Sequence, residues 1–212
     1  MREVDPRQTT RAESYQLYID APMPMVTLFR TLDITPLVRL GRQGYLLNML
    51  LCYCVAAAGD QVSEFRLLPV GKKLMEYDRI GVSVIVANRE GGINSCDIPF
   101  QRDLNTFAQS YQALTAQVWD RCENYDLEDS MIVGTSSLAR FDVDGAVNFY
   151  SGIFNNPFLI WGKYRKHFRK ALLPLSFQFH HVQMDGGHAA AFLERLQEEI
   201  YSFKAERRTI ER

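Results

Sequence analysis

Apolar and polar residues alternate most tightly in "ALLPLSFQFHH", residues 171–181. Leu175, Phe177, Phe179 and His181 fall on one side of an extended chain, and Ser176, Gln178 and His180 on the other. The period then changes. Ala189, Phe192, Leu193, Leu196, Ile200 and Phe203 recur every three or four residues, with Glu194, Arg195, Glu198 and Glu199 off the stripe, as an amphipathic helix requires. Upstream, "GYLLNMLLCYCVAAAG" is apolar nearly all round and predicts a buried helix over 44–58. Asn48 interrupts it, and it is too short to span a bilayer. Phe107, Tyr111, Leu114, Val118 and Cys122 mark another helix over 103–125, with Asp103 placed to cap it. Runs rich in β-branched or large apolar residues predict strands at 64–69, 73–78, 79–88, 130–136, 146–151, 157–164 and 171–181. "REGGINS" at 89–95 reads as a loop; it lacks the Gly-Lys-Ser/Thr ending of a phosphate cradle. Helices separated by groups of strands imply an α/β fold, a two-layer sandwich with a mixed β-sheet covered by helices. No repeat, low-complexity tract or Gly/Ser-rich linker divides the chain, so residues 1–212 read as a single domain.

Composition adds mainly exclusions. The 24 basic and 25 acidic residues leave a net charge of −1, which is no footprint for nucleic acid. The opening twenty residues are charged and polar, without the apolar core of a secretory signal. Cys52, Cys54, Cys96 and Cys122 read as buried free thiols, since a metal site wants more ligands at characteristic spacing. A cytoplasmic protein with no metal and no membrane partner is expected. Trp119 and Trp161 read as packing.

The chemistry gathers around "HHVQMDGGH" at 180–188. A lone histidine on an apolar strand face is most often a satisfied core residue. Here Asp185 follows His181 by four residues across a turn, and Gly186-Gly187 permits close approach or positive φ. An imidazole near a fixed carboxylate is a candidate general base with an orienting acid. His188, one turn into the last helix, either approaches the site or lines the helix start. His167 has no evident role.

"HHVQMDG" resembles the HHxxxDG signature of the chloramphenicol acetyltransferase family, shared with the catalytic domains of dihydrolipoyl acyltransferases. "LLPLSFQFHHVQMDGGHAAAFLERLQ" is similar to that family's last strand, catalytic turn and closing helix, and "KYRKH", "LDIT", "EFR" and "RAESYQLY" resemble its other segments. The resemblance implies a homotrimer with active sites at subunit interfaces and acetyl-CoA as co-substrate. It makes His181 the base that takes the acceptor hydroxyl's proton as the oxygen attacks the thioester, and pairs Asp185 with Arg11 in an ion pair that holds the turn. Tyr18 and Leu17 fall at acceptor-pocket positions and Tyr164 near the coenzyme. The family's oxyanion serine aligns on Gly134; Thr135 or Ser136 takes its role if the register shifts, or a backbone N–H substitutes. A threonine that assists the intermediate falls on Ile160. The basic run "KYRKHFRK" either offers Arg165 or Lys166 to CoA phosphates or is a solvated hairpin turn. The leading expectation is a CoA-dependent O-acetyltransferase acting on chloramphenicol or another small hydroxylated acceptor. The alternatives are a catalytically lapsed trimeric small-molecule-binding protein of the same fold, and an acyltransferase with a thiol acceptor.

Overall fold

A computed structural model describes residues 1–148, 150 and 152–203. Its elements run β1 (Arg2–Val4), α1 (Ala12–Tyr18), β2 (Met25–Asp33), α2 (Thr35–Gly41), α3 (Leu47–Gly59), β3 (Leu67–Val70) and β4 (Lys73–Glu76). They continue with β5 (Arg79–Ala87), β6 (Ile93–Pro99), α4 (Leu104–Arg121), β7 (Ser130–Ser137), β8 (Phe158–Trp161), β9 (Arg165–His167), β10 (Lys170–His180) and α5 (Gly186–Ser202). Seven strands form one sheet in the order β2-β10-β8-β7-β5-β6, with β9 also on β10. β10 runs antiparallel to β2, β8 and β9, while β5, β7 and β8 are parallel, so the sheet is mixed. Helices α3, α4 and α5 pack on it, as the alternation of periods predicts. β1, β4 and β3 make a separate three-stranded sheet.

Each helix is held for a legible reason. α3, apolar nearly all round, is buried from Met49 to Gly59. Asp103 caps α4 by accepting from the Thr106 N–H at 2.8 Å. That helix ends at Arg121, short of the predicted 125: Cys122 turns left-handed at φ 58° and is half-exposed rather than buried. α5 buries Ala189, Phe192, Leu193, Leu196 and Ile200. Its Gln197 side chain exchanges two hydrogen bonds with the Asp33 backbone, at 2.8 and 3.1 Å. Below the start of α5 lie Phe65, Phe177 and Phe192, with ring centroids 4.6 Å apart for Phe65–Phe192 and 4.7 Å for Phe177–Phe192.

Several elements depart from the pattern reading. Ser63–Arg66 is a 3-10 turn rather than the start of a strand, because Phe65 drops into the aromatic cluster while Arg66 reaches Asp60 at 2.6 Å. The expected strand at 146–151 is absent from Ala146–Asn148 and Tyr150, and its Phe149 and Ser151 lie outside the described residues. There the Ala146 N–H and the Asn148 carbonyl bond to the Ser176 and Gln178 side chains of β10 instead of a neighbouring strand. β2 and β6 carried no prediction, and β6 begins inside the predicted 89–95 loop. Trp161 is buried, but Trp119 is 51% exposed. No helix among the described residues is long and apolar enough to cross a membrane.

Candidate active site

β10 stops at His180, one residue earlier than alternation suggests. His180, not His181, is the buried imidazole, only 1% exposed. Its Nδ1 accepts from the Val182 N–H at 3.1 Å. Burial, helped by the neighbouring His181, pulls its pKa down to about 4, so this ring is neutral. The His181 N–H reaches the Pro24 carbonyl at 2.8 Å, and the chain then turns. His181 thus leaves the apolar face assigned to it, and its side chain is 28% exposed. Its ring stacks on Tyr18, with centroids 4.1 Å apart and planes inclined by 18°. Nδ1 of His181 is buried; it lies 3.3 Å from Asp185 Oδ1 but out of line for a hydrogen bond. Nε2 is therefore the nitrogen left for proton exchange.

Arg11 fastens this turn. Its guanidinium is 1% exposed and donates through Nε to the Val182 carbonyl at 2.9 Å and through Nη2 to the His181 carbonyl at 2.9 Å. It also grips both Asp185 oxygens, Nη1 to Oδ2 at 2.6 Å and Nη2 to Oδ1 at 2.7 Å. That fork holds the Asp185 pKa down at about 2, against a smaller opposing effect of burial. Ser14 Oγ adds a bond to Asp185 Oδ1 at 3.3 Å. The expected ion pair exists, and α1 carries both Ser14 and the stacked Tyr18. Leu17, on the same helix, is 64% exposed. Gly186 and Gly187 open α5 in ordinary helical geometry, with nothing within 4 Å of where a Cβ would stand, so neither needs left-handed backbone.

The residues aligned with intermediate stabilisation lie elsewhere on the sheet. β-Register puts Phe29, Ser176, Ile160 and Ser136 in one row on one face. Ser176 is five residues before His181, roughly 15 Å along the strand. Within one chain, then, Ile160 and Ser136 are not brought to His181. A Cβ at Gly134 would stand 2.2 Å from the Phe158 ring, so Phe158 fills the space a serine there would need. Thr135 points the other way: it is 2% exposed, and its hydroxyl donates to the Ser83 carbonyl at 2.7 Å. Ser136 is half-exposed.

A family model described as chloramphenicol acetyltransferase matches residues 1–197. The chain belongs to the chloramphenicol acetyltransferase family. Among curated relatives, chloramphenicol acetyltransferase 2 of Escherichia coli is 28% identical over 205 residues, covering 92% of this chain and 94% of that protein. Chloramphenicol acetyltransferase 3 of the same organism is 25% identical over 203 residues, with 92% and 94% covered. A solved chloramphenicol acetyltransferase superposes with a TM-score of 0.80 at 17% identity, covering 94% of this chain and 99% of that one. The cubic core of the pyruvate dehydrogenase multienzyme complex shares the fold at a TM-score of 0.66 and 19% identity, covering 97% and 93%. The family is one of acyltransferases, and so is this member.

Tyr164, expected near the coenzyme, lies in the basic run. In this acyltransferase Tyr164 is half-buried against the core, beside a groove of about 560 Å³ lined by Ala139, Asp142, Lys163, Arg165 and Lys166. Arg165 is held by Asp142 and Asp144, each at 2.7 Å, and Lys166 and His167 are exposed in the β9–β10 hairpin. The run is a solvated hairpin with one arginine already neutralised. His180 turns out to be the neutral buried neighbour, and His188 Nδ1 accepts from the Asp185 N–H at 3.1 Å. The signal for His188 was its position, three residues after Asp185, where a helix-capping side chain reaches back to the cap. No group of three or more metal-ligating side chains occurs among the described residues.

Proposed function

We propose that residues 1–212 act as one CoA-dependent O-acetyltransferase domain, working in the cytoplasm as a homotrimer, with His181 as general base. The observation that carries this reading is the locked turn: Arg11 holds the main chain of His181 and both oxygens of Asp185, while one edge of the His181 ring stays open. His181 Nε2 takes the proton from an acceptor hydroxyl as its oxygen attacks the thioester carbonyl of acetyl-CoA. The tetrahedral oxyanion collapses, the carbon–sulfur bond breaks, and the imidazolium returns the proton to the departing CoA thiolate. Asp185 is fully ionised at neutral pH and anchored on Arg11, so it keeps the turn in place rather than accepting the proton. Tyr18 and Leu17 face the acceptor, Tyr164 the coenzyme. The roughly 15 Å between His181 and Ser176 along β10 favours a site in which Ser136 and Ile160 come from a neighbouring subunit.

The test is the release of free CoA thiol from acetyl-CoA with a panel of small alcohols, chloramphenicol among them. His181→Ala should lower turnover by at least about 10²-fold while leaving the oligomer folded, in line with loss of a general base. Unchanged turnover in that variant rules His181 out as base.

A second reading rests on Phe158 and Ile160. With the Phe158 ring occupying the space beside Gly134 and an alkyl chain at 160, the hydroxyl donors of the row reduce to Ser136 and Ser176. Loss of one oxyanion donor typically costs about 10²–10³ in rate, enough to turn the site into a binding pocket for the same small molecules. Acceptor binding by calorimetry without thiol release from any acceptor favours this version.

A further inference from the structure

A histidine other than the two in the motif sits against the locked turn. His188 Nδ1 accepts a hydrogen bond from the Asp185 N–H at 3.1 Å, which requires that nitrogen to be unprotonated. Its other nitrogen, Nε2, lies 3.4 Å from Oε1 of Glu64, out of line for a hydrogen bond but close enough for the carboxylate's charge to favour a proton on that nitrogen; Glu64 is only 7% exposed. Glu64 is fixed in turn: Ser63 Oγ bonds its Oε2 at 3.0 Å, and the adjacent Phe65 is buried with its ring 4.6 Å from Phe192 of α5, the helix that carries His188. The Arg11 fork holds the carboxyl of Asp185, and this second chain reaches the same residue through its main chain. Resting on the reading of His181 as base, we propose that His188 is a positioning residue, kept in its Nε2–H tautomer by Glu64 so that Nδ1 fixes the backbone of Asp185.

The consequence follows from placement. Asp185 Oδ1 stands 3.3 Å from His181 Nδ1, and a backbone shift at 185 moves that charge and the ring edge together. A misplacement of about 1 Å near a reacting group costs up to about 10²-fold in rate. His188→Ala therefore lowers kcat about 10–100-fold and leaves KM for acetyl-CoA within about twofold, because the groups that bind substrate are untouched. Glu64→Gln keeps an amide oxygen toward Nε2–H and stays within about threefold of wild type, whereas Glu64→Leu behaves like His188→Ala. The His188→Ala/Glu64→Leu double variant is no slower than the worse single, as expected of residues acting through one contact. Nitrogen-15 spectra of histidine-labelled protein report the ring state directly: wild type shows Nδ1 bare and Nε2 protonated at His188, and Glu64→Leu shows mixed tautomers.

An Nδ1–H tautomer in wild type overturns the proposal, as do fully additive losses in the double variant or a KM change without a kcat change. The base assignment is checked separately by His181→Ala. If wild type turns over no acceptor, the acetyltransferase reading fails, and the tautomer in wild type and Glu64→Leu still decides whether Glu64 sets the state of His188.

Discussion

Replacing Arg11 by leucine removes a buried side chain that hydrogen-bonds both the main chain and the carboxylate of the turn. Four hydrogen bonds go at once: those to the Val182 and His181 carbonyls and the pair to Asp185. Breaking a buried ion pair by deleting one partner costs about 3–5 kcal/mol. The lower end applies, because the Asp185 side chain is 42% exposed and water can rehydrate part of its charge. The two carbonyls losing their donor add about 1 kcal/mol each, and the leucine side chain recovers a similar amount by filling the buried site. The net loss is about 3 kcal/mol, a melting temperature lower by about 6–12 °C for a chain of this size. Thermal melts at one fixed protein concentration measure it, since association shifts apparent stability. The Arg11→Leu/Asp185→Leu double variant should melt above the single one, because the stranded carboxylate is gone. A single variant within about 2 °C of wild type, or a double variant with purely summed losses, refutes the argument.

Three further outcomes follow. Asp185 has its pKa depressed to about 2, so its stabilising effect is complete above its unfolded value of about 4 and is lost as pH falls through 2; the gap in urea midpoint between wild type and Asp185→Asn should shrink steadily below about pH 4. A gap independent of pH refutes the ion-pair account. His180 is depressed to about 4 against an unfolded value near 6.5, so the unfolded chain binds the extra proton between those values and stability falls as pH drops through that window; His180→Gln should lose less stability from pH 7 to 5 than wild type does, as read by urea titration. Gly134→Ser drives a Cβ to 2.2 Å from the Phe158 ring and should destabilise by about 1–3 kcal/mol, an effect that Phe158→Ala relieves.

Periodicity made α4, α5 and β10 legible, each patterned over more than ten residues, and the unbroken apolar run did the same for α3. β2 was harder. Val26, Leu28 and Leu32 turn toward the core, but Phe29 sits among the outward residues and is 58% exposed, which blurs the alternation. The turn at Ser63–Arg66 was misread because Phe65, Leu67 and Leu68 look like one apolar strand, and only the depth of Phe65 shows the break. In the site, His181 and Asp185 were visible as a local cluster. Arg11 was not: it meets Asp185 across 174 residues of sequence, so only the family resemblance pointed to it. Phe158 at Gly134 was invisible for the same reason, since strand register, not sequence spacing, brings them together.

The adjacent histidines end up in opposite environments because the strand stops between them. Had β10 run one residue further, His181 would have pointed to the helix side with Phe177 and Phe179, both fully buried. Instead the Gln183 and Met184 N–H groups turn back onto the His180 carbonyl, at 2.9 and 3.2 Å. Val182 and Met184 take the interior positions, each 0% exposed. The turn is thereby anchored by two apolar side chains in separate clusters, Met184 in the main core and Val182 against α1, and by Arg11. His181 is placed through its main chain and ring face: its carbonyl is held by Arg11, its ring by Tyr18, and its Nδ1 by no hydrogen bond. The contacts that hold the ring leave Nε2 uncommitted, as the proposed base requires, whereas the buried His180 commits its Nδ1 to the Val182 N–H.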